Sequence, residues 1–443
     1  MDLRKSGLLG TAASVAATRV VSAVLALVVA VALARLLGVA DYGRYSYLLG
    51  VAALVSVPFQ FGLPTLTVRV AATARLQQAW EELNGLLAFS VILIISACVG
   101  VFTLLALSGG VAGSRLAIPG LLGVIVVGLL VLLGSLTAVG GAAIRGLGHV
   151  LQSQVPEMVA RPVVLLIAVL ALYATGRMSL PAALWANVAA AATGLALSIH
   201  FLRRARVRHG AVGGYTYHSR SWLRSMLPLA FVAAGVQVNG QLDVVLIGLL
   251  LRPEDVGVYR IATLAAVQVS IAMWVVNSVL APSLVEAFNV RSRRQMTALL
   301  RGGTQLALLI GVPVFLALVL IGRPLLSILM GPEFIGAYAP MLILAGGQLL
   351  MLTNGPVGIM LGMCHRERDL ARASAISIAT NVVLNPVAIL TYGIMGAAVA
   401  TAISGVVWRV MLARAARATL RSLEQDTLIA GQLHEPETGD PGG

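Results

Sequence analysis

Charged and amide side chains inside long apolar segments are the residues of this chain most suited to chemistry. Arg19 lies in an apolar run near the start of the chain, and Asp243 ends the polar run QVNGQLD at 237–243. Arginine pairs bidentately with phosphate groups, whereas a carboxylate can hold a cation. A charge at the centre of a membrane helix costs about 2.5–3.5 kcal/mol on insertion scales. If these runs cross a bilayer, we therefore expect Arg19 and Asp243 to face a shared, water-filled cavity.

The run around Asp243 has two polar faces if it is helical. Asn239 and Asp243 are four residues apart and share one face, while Gln237 and Gln241 occupy nearly the opposite one. A helix that is polar on two faces is expected in the bundle interior or is locally interrupted. We predict that Asn239 and Asp243 line the cavity, and the structural alternative is a hydrogen bond that packs helices together.

Four further residues are candidates for the same cavity, each with a structural alternative. Arg145 and Arg260, like Arg161, lie near the ends of apolar runs, where arginines also serve as interfacial anchors. Asn381 and Asn385 share a helix face and could instead form interhelical hydrogen bonds. The histidines and the two cysteines show no metal-ligand spacing, and no nucleotide-binding motif occurs, so no metal site or cofactor is predicted. A coupling ion, H⁺ or Na⁺, is left open.

The composition indicates which elements must position these residues. The chain has 443 residues, of which 59% are hydrophobic and only 11% charged, with a mean hydropathy of +0.94. Soluble domains carry about 25% charged residues. Apolar stretches of the length that crosses a bilayer recur throughout, without the alternation of barrel strands. The chain is therefore predicted to be an all-α integral membrane protein. Its net charge of +14 is explained by loop arginines, and no nucleic acid partner is predicted.

Twelve transmembrane helices are predicted, near residues 11–34, 45–68, 84–107, 116–143, 157–175, 180–202, 226–251, 257–282, 302–322, 336–362, 372–391 and 394–412. Most arginines then fall in alternate connections, with the densest group at 203–208. The positive-inside rule places these connections and both termini in the cytoplasm. The predicted organisation is a first six-helix half over 1–208, a cytoplasmic linker over 209–225, a second half over 226–413 and a disordered polar tail over 414–443.

A sequence motif indicates that the two halves are related. The motif D-x-G-x-Y occurs in the first half at Asp41-Tyr-Gly43-Arg-Tyr45 and again in the second half at Asp255-Val-Gly257-Val-Tyr259. Two further pairs of matching segments follow in the same order and at nearly the same offset. Six is an even number of helices, so both halves begin on the same side, which predicts parallel repeats around a central cavity. In each motif we expect Asp to cap a helix, Gly to make a turn and Tyr to anchor at the membrane interface.

Three segments carry a resemblance to a known family. LARLLGVADYGRYSYLLG at 33–50, RPLLSILMGPEF at 323–334 and NVVLNPVAILTYGIMGAAVATAIS at 381–404 resemble polysaccharide flippases of the multidrug/oligosaccharidyl-lipid/polysaccharide exporter superfamily. The resemblance implies a multi-pass protein of a bacterial or archaeal cytoplasmic membrane. It also implies translocation of an undecaprenyl-pyrophosphate-linked oligosaccharide for surface polysaccharide assembly, with membrane lipids and polysaccharide polymerase machinery as candidate partners.

Other functions remain as alternatives. A cation-coupled multidrug exporter of the same superfamily would share the duplicated plan and could use Asp243, so the fold does not separate it from a flippase. Peptidoglycan-precursor flippases of the superfamily usually have fourteen helices, which disfavours that role here. A membrane enzyme, such as a polymerase, would be expected to carry a long outer loop with catalytic residues, and every predicted outer loop is short. A non-transporting scaffold is the remaining class.

Overall fold

The computed structural model describes residues 2–60, 62–107, 120–208, 214–290, 292–364 and 366–432, and within them the chain is entirely helical apart from short connections. The helices are α1 (Asp2–Gln60), α2 (Leu63–Gln77), α3 (Trp80–Leu107), α4 (Gly120–Gly146), α5 (Val150–Val155), α6 (Arg161–Ala174), α7 (Leu180–Arg208), α8 (Ser219–Leu250), α9 (Pro253–Ala266), α10 (Ile271–Asn289), α11 (Arg293–Leu329), α12 (Tyr338–Leu352), α13 (Val357–Met363) and α14 (Glu367–Gln432). A π-helical turn, Pro156–Ala160, joins α5 to α6.

The helices have the length and composition of membrane spans. In the described part of the chain, nine helical segments are long and apolar enough to cross a bilayer. This confirms the predicted all-helical membrane class. Two of the nine, Ala17–Gln60 and Arg368–Arg421, contain a non-helical residue with positive φ, Gly38 (76°) and Gly393 (60°). Glycine adopts such angles without steric cost, so each segment is two helices that meet at a glycine.

The D-x-G-x-Y motifs do not have the local roles that the sequence predicted. The first turn is made by Gly38, and Gly43 lies inside the helix that follows. Tyr45 and Tyr259 are buried, at 3% and 0% exposure, and neither is an interfacial anchor. The capping role holds only for Asp255, whose Oδ2 accepts a hydrogen bond from the Arg252 backbone N–H at 3.2 Å. The prediction failed because a tyrosine at the start of a helix has the same sequence pattern whether it is interfacial or buried.

Two predicted boundaries also differ. Helix α8 begins at Ser219, inside the predicted linker, and residues 209–213 of that linker lie outside the described part. The tail predicted to be disordered is helical from 414 to Gln432, because that segment is rich in Ala, Leu and Arg, which favour helix. Leu412 and Ala416 bury this helix against Leu284 and Met296. Residues 433–443 lie outside the described part.

The N-terminal and C-terminal parts of the chain meet along α1. This helix packs most extensively against α9 and α8, and it also contacts α10. At the end of the bundle that carries the D-x-G-x-Y motifs, here named the motif end, Tyr42 packs edge-on against Phe334 with ring centroids 6.1 Å apart. The same core contains several polar side chains, of which Asn381 and Asn385 are completely buried. These buried polar groups mark the candidate site.

Candidate functional site

Helix α8 separates two cavities. Gln237 and Gln241 line one of about 440 Å³, and Asn239 and Asp243 line another of about 350 Å³. The two polar faces that the sequence placed on this helix therefore face different spaces. The first is named the arginine cavity and the second the carboxylate cavity.

The arginine cavity is bounded by parts of α1, α2, α4, α6, α8 and α9. Arg161 and Arg260 both contribute to its wall, and Glu157 is the acidic residue among its lining side chains. Within the described part of the chain, the Arg260 guanidinium donates no hydrogen bond, so its donors are available to a bound group. Two guanidinium groups on one cavity wall are suited to binding a multiply charged anion.

Arg161 is held in place by a chain of two hydrogen bonds. Its Nη2 donates to Asn187 Oδ1 at 3.1 Å, and Asn187 Nδ2 donates to the Tyr45 hydroxyl at 2.5 Å. Arg161 begins α6 directly after the π-helical turn Pro156–Ala160. Such turns shift the register of a helix and occur frequently at functional sites. An arginine has five N–H donors, so most of those of Arg161 remain for a ligand.

The carboxylate cavity contains a buried hydrogen-bond network centred on Asp243. The Oδ2 atom accepts from the Tyr259 hydroxyl at 2.8 Å and from Thr401 Oγ1 at 2.5 Å. The Oδ1 atom accepts from Asn385 Nδ2 at 2.8 Å. Asp243 is only 6% exposed, and a buried charge requires such partners to offset its lost hydration. This one side chain joins α8 to α9 and to the parts of α14 on both sides of Gly393.

The two asparagines extend this network along α14. Asn385 Nδ2 also donates to Asn381 Oδ1 at 2.6 Å, and Asn381 Nδ2 donates to Ser404 Oγ at 3.2 Å. The structure therefore brings Asn381 and Asn385 together with Asp243, through the interhelical hydrogen bonds that were the alternative interpretation. Asn239 faces the same cavity, and its buried Oδ1 has no hydrogen-bond partner within the described residues.

The hydrogen bonds of the two motif tyrosines involve residues at the same sequence interval. Asn187 and Thr401 are separated along the sequence by the same interval as Tyr45 and Tyr259. Tyr45 bonds to Asn187, while Tyr259 and Thr401 both bond to Asp243. Positions separated by this interval thus lead to the guanidinium of Arg161 in one case and to the carboxyl group of Asp243 in the other.

Arg19 and Arg145 lie elsewhere. The Arg19 guanidinium is stacked over the Trp274 ring, 4.1 Å from its centroid, and Arg145 is close enough to act on it electrostatically. Neither arginine is among the residues that line the arginine or the carboxylate cavity. The predicted sharing of a cavity by Arg19 and Asp243 is thus not seen in these two spaces. Arg260, also a sequence candidate, does line the arginine cavity.

Three residues of the site were not selected from the sequence. The sequence pattern at Arg161 favours an interfacial anchor, and Glu157 and Asn187 are not among the residues that the sequence predicts for the site. The interval between Tyr45 and Tyr259 could have identified Asn187, because the same interval separates Asn187 from Thr401. Among the described residues, no group of three or more His, Cys, Asp or Glu side chains could hold a metal ion.

Solved structures share this fold at low sequence identity. An inward-facing MATE-family multidrug resistance transporter of the MOP superfamily matches with a TM-score of 0.72 and 12% identity, over 91% of this chain and 96% of that one. The lipid II flippase MurJ, in an inward closed conformation, matches with a TM-score of 0.69 and 14% identity, over 92% and 89%. An outward-facing MATE-family transporter matches with a TM-score of 0.62 and 12% identity, over 94% and 96%. The chain thus has the same fold as these solved transporters.

Sequence comparison defines the family within this class. The family model described as "Polysaccharide biosynthesis protein" matches residues 8–288, more than half of the chain. A probable low-salt glycan biosynthesis flippase, Agl15 of Haloferax volcanii, is 28% identical over 194 residues, which are 44% of this chain and 36% of that protein. The alignment thus covers little more than a third of that relative. The chain belongs to the polysaccharide biosynthesis protein family, which confirms the resemblance found in its motifs.

Proposed function

We propose that this protein is a flippase that moves an undecaprenyl-pyrophosphate-linked oligosaccharide across the cytoplasmic membrane for surface polysaccharide assembly. The observation that carries the proposal is the presence of Arg161 and Arg260 in the wall of one cavity inside a membrane-embedded bundle. A pyrophosphate is the part of such a substrate that is most costly to move through hydrocarbon. Charge-assisted hydrogen bonds from two guanidinium groups offset part of that cost.

The helix arrangement supports the transport mechanism. Counting each span with a glycine kink as two helices, and adding α8, the nine described spans correspond to twelve helices. We infer two parallel six-helix halves, with the arginine cavity at their junction and both termini in the cytoplasm. The motif end is then the outer end. The fold is shared with both an inward-facing and an outward-facing transporter, with TM-scores of 0.72 and 0.62, which supports an alternating-access cycle.

A cation-coupled multidrug exporter is the second candidate, and Asp243 is the observation that favours it. This buried carboxylate faces a cavity of its own and could hold a cation, H⁺ or Na⁺, whose movement drives transport. In a flippase the same group would serve as the coupling site. The arginine cavity distinguishes the two functions, because two guanidinium groups would repel a cationic drug.

Gene deletion and complementation test the proposal. Deletion in the native host is expected to deplete one surface polysaccharide and to leave its lipid-linked precursor on the inner leaflet. The wild-type gene should restore the polymer, and the Arg161→Gln/Arg260→Gln double variant should not. Arg145→Gln is the matched control, since Arg145 is exposed and outside both cavities. An unchanged polysaccharide together with increased drug sensitivity would instead favour the exporter.

A further inference from the structure

At the motif end, the two parts of the chain touch through a reciprocal pair of glycines. A Cβ atom added to Gly43 would lie 1.8 Å from the Pro253 carbonyl oxygen, and one added to Gly257 would lie 2.5 Å from the Val39 carbonyl oxygen. Both distances are far below van der Waals contact. Each glycine therefore permits a backbone approach that no other residue would allow. This contact is named the glycine seal.

Two further contacts join the N-terminal and C-terminal parts of the chain at the motif end. They are the hydrogen bonds of Arg35 and the ring contact between Tyr42 and Phe334. The Arg35 guanidinium donates from Nε to the Leu329 carbonyl oxygen at 2.6 Å and from Nη2 to the Ile328 carbonyl oxygen. These carbonyls are at the C-terminal end of α11, where they have no partner within the helix and where the helix dipole favours a cation. The Tyr42–Phe334 ring contact joins the two parts of the chain at the same end.

Each glycine of the seal is two residues from a tyrosine that reaches one of the charged groups described above. Tyr45 follows Gly43 and is connected through Asn187 to Arg161. Tyr259 follows Gly257 and donates directly to Asp243. Because two helical residues are only about 3 Å apart along the axis, a displacement of either tyrosine also moves its glycine.

We propose that the glycine seal is the outer gate of the transporter, and that Tyr45 and Tyr259 are positioning residues that couple it to the charges of the two cavities. An anion that binds the free donors of Arg161 draws the guanidinium away from Asn187 and so loosens the restraint on Tyr45. A change of charge at Asp243 loosens Tyr259 in the same way. The coupling rests on the proposed function, whereas the gate itself does not depend on the identity of the substrate.

Alanine substitution tests the gate. In the closed state Gly43→Ala and Gly257→Ala place a methyl group inside a backbone contact, so both should favour the state in which the seal is parted. Gly302→Ala is the matched control, because Gly302 is a helical glycine with open space at its Cβ position.

Spin labels at Arg44→Cys and Glu254→Cys, beside the seal, report the distance between the two sides of the seal. The labels are introduced in a Cys98→Ala/Cys364→Ala background. We expect a longer distance population in the two gate variants and none in the control. Wild-type distances in both folded gate variants would overturn the proposal.

Hydroxyl deletion tests the coupling without any ligand. Tyr45→Phe and Tyr259→Phe should each raise the parted population about fivefold, the effect expected of one lost hydrogen bond. Tyr47→Phe is the control, because the Tyr47 hydroxyl makes no hydrogen bond within the described residues although the ring is buried. These variants lack only an oxygen atom, so they keep the test valid if an alanine variant fails to fold. An unchanged population in both would overturn the positioning role.

A third experiment adds undecaprenyl pyrophosphate to the spin-labelled protein in nanodiscs. It measures ligand binding and the distance between the two spin labels separately. Binding should part the seal in the wild type and, compared at equal ligand occupancy, should have a smaller effect in Tyr45→Phe. Binding without any parting in the wild type would overturn the coupling and leave the proposed function standing. An absence of binding would reject the pyrophosphate substrate and the coupling to it, while the alanine variants still decide the gate.

Discussion

Tyr45 and Tyr259 occupy the same position in two copies of one motif, and their hydroxyl groups lead to opposite charges. Tyr45 accepts a hydrogen bond from Asn187, which in turn accepts one from Arg161. Tyr259 donates directly to the carboxylate of Asp243. Each tyrosine is buried, so its hydroxyl requires a partner. The same motif position therefore supports a guanidinium in one part of the chain and a carboxyl group in the other.

The charge of Asp243 can be separated from its hydrogen bonds by two substitutions. Asp243→Asn keeps the size of the side chain and some hydrogen bonding, so we expect folded protein with transport reduced at least about tenfold, equivalent to about 1.4 kcal/mol. Asp243→Leu leaves the hydroxyl donors of Tyr259 and Thr401 buried without an acceptor and removes one of the two acceptors of Asn385 Nδ2. This should lower the free energy of unfolding by about 1–3 kcal/mol, measured as thermal stability in detergent. Normal transport by Asp243→Asn would show that the hydrogen-bond network around Asp243 serves only to pack the helices together.

The geometry of Arg161 can be tested apart from its charge. Lysine in Arg161→Lys keeps the charge but loses the planar fork, and Arg161→Gln loses both. We expect the initial rate of substrate flipping in proteoliposomes to fall about tenfold in the first variant and further in the second. Asn187→Leu should resemble Arg161→Lys, because the arginine remains but loses its restraint. Wild-type flipping rates in all three variants would show that Arg161 is not part of the substrate path.

Arg19 and Trp274 are expected to stabilise the bundle without binding substrate. Their stacking joins α1 to α10, and cation–π contacts contribute about 0.5–2 kcal/mol. The stability losses of Arg19→Leu and Trp274→Leu should therefore be non-additive in the double variant, as measured by thermal unfolding in detergent. Transport by Arg19→Lys should remain close to the wild-type rate. Loss of transport in Arg19→Leu at unchanged stability would place Arg19 in the substrate path instead.

The orientation is tested by reporter fusions. Fusions after Arg294 and Arg417 should report the cytoplasm, and a fusion after Glu254 should report the exterior, as the arginine distribution predicts. The glycine seal would then close the outer side. An external report from Arg294 would reverse the orientation, and with it the assignment of the seal to the outer leaflet.

The sequence predicted best where helical periodicity carries the information. The spacing of Gln237, Asn239, Gln241 and Asp243 predicted a helix with two polar faces, and the structure gives each face its own cavity. The four-residue spacing of Asn381 and Asn385 also predicted that they share one helix face. The membrane class followed from composition alone, since no soluble surface could be made from so few charges.

The sequence predicted less well where tertiary packing decides a role. Arg161 is near the end of an apolar run, a position that also suits interfacial anchors, and only the fold shows that it faces a cavity. Gly43 resembles a turn glycine, but its hydrogen side chain is needed for contact with Pro253, which is distant in the sequence and begins α9. Placing the Arg19 charge in lipid is costly in free energy, and stacking on the Trp274 ring offsets part of that cost. A sequence search for charged partners does not identify this ring, because it carries no charge.

Because α8 forms part of the wall of both cavities, a charge in one cavity interacts electrostatically with a charge in the other. An α-helix is about 10 Å across, and two unit charges at that separation interact by about 1.7 kcal/mol at an effective dielectric constant of 20. A phosphate bound by the arginines would therefore strengthen the attraction of the opposite cavity for a cation by more than tenfold. Thermodynamic linkage makes the effect reciprocal, so a cation beside Asp243 would tighten phosphate binding by the same factor. A shared helix alone would thus give cooperative loading of two unlike ions, without any change in the shape of the protein.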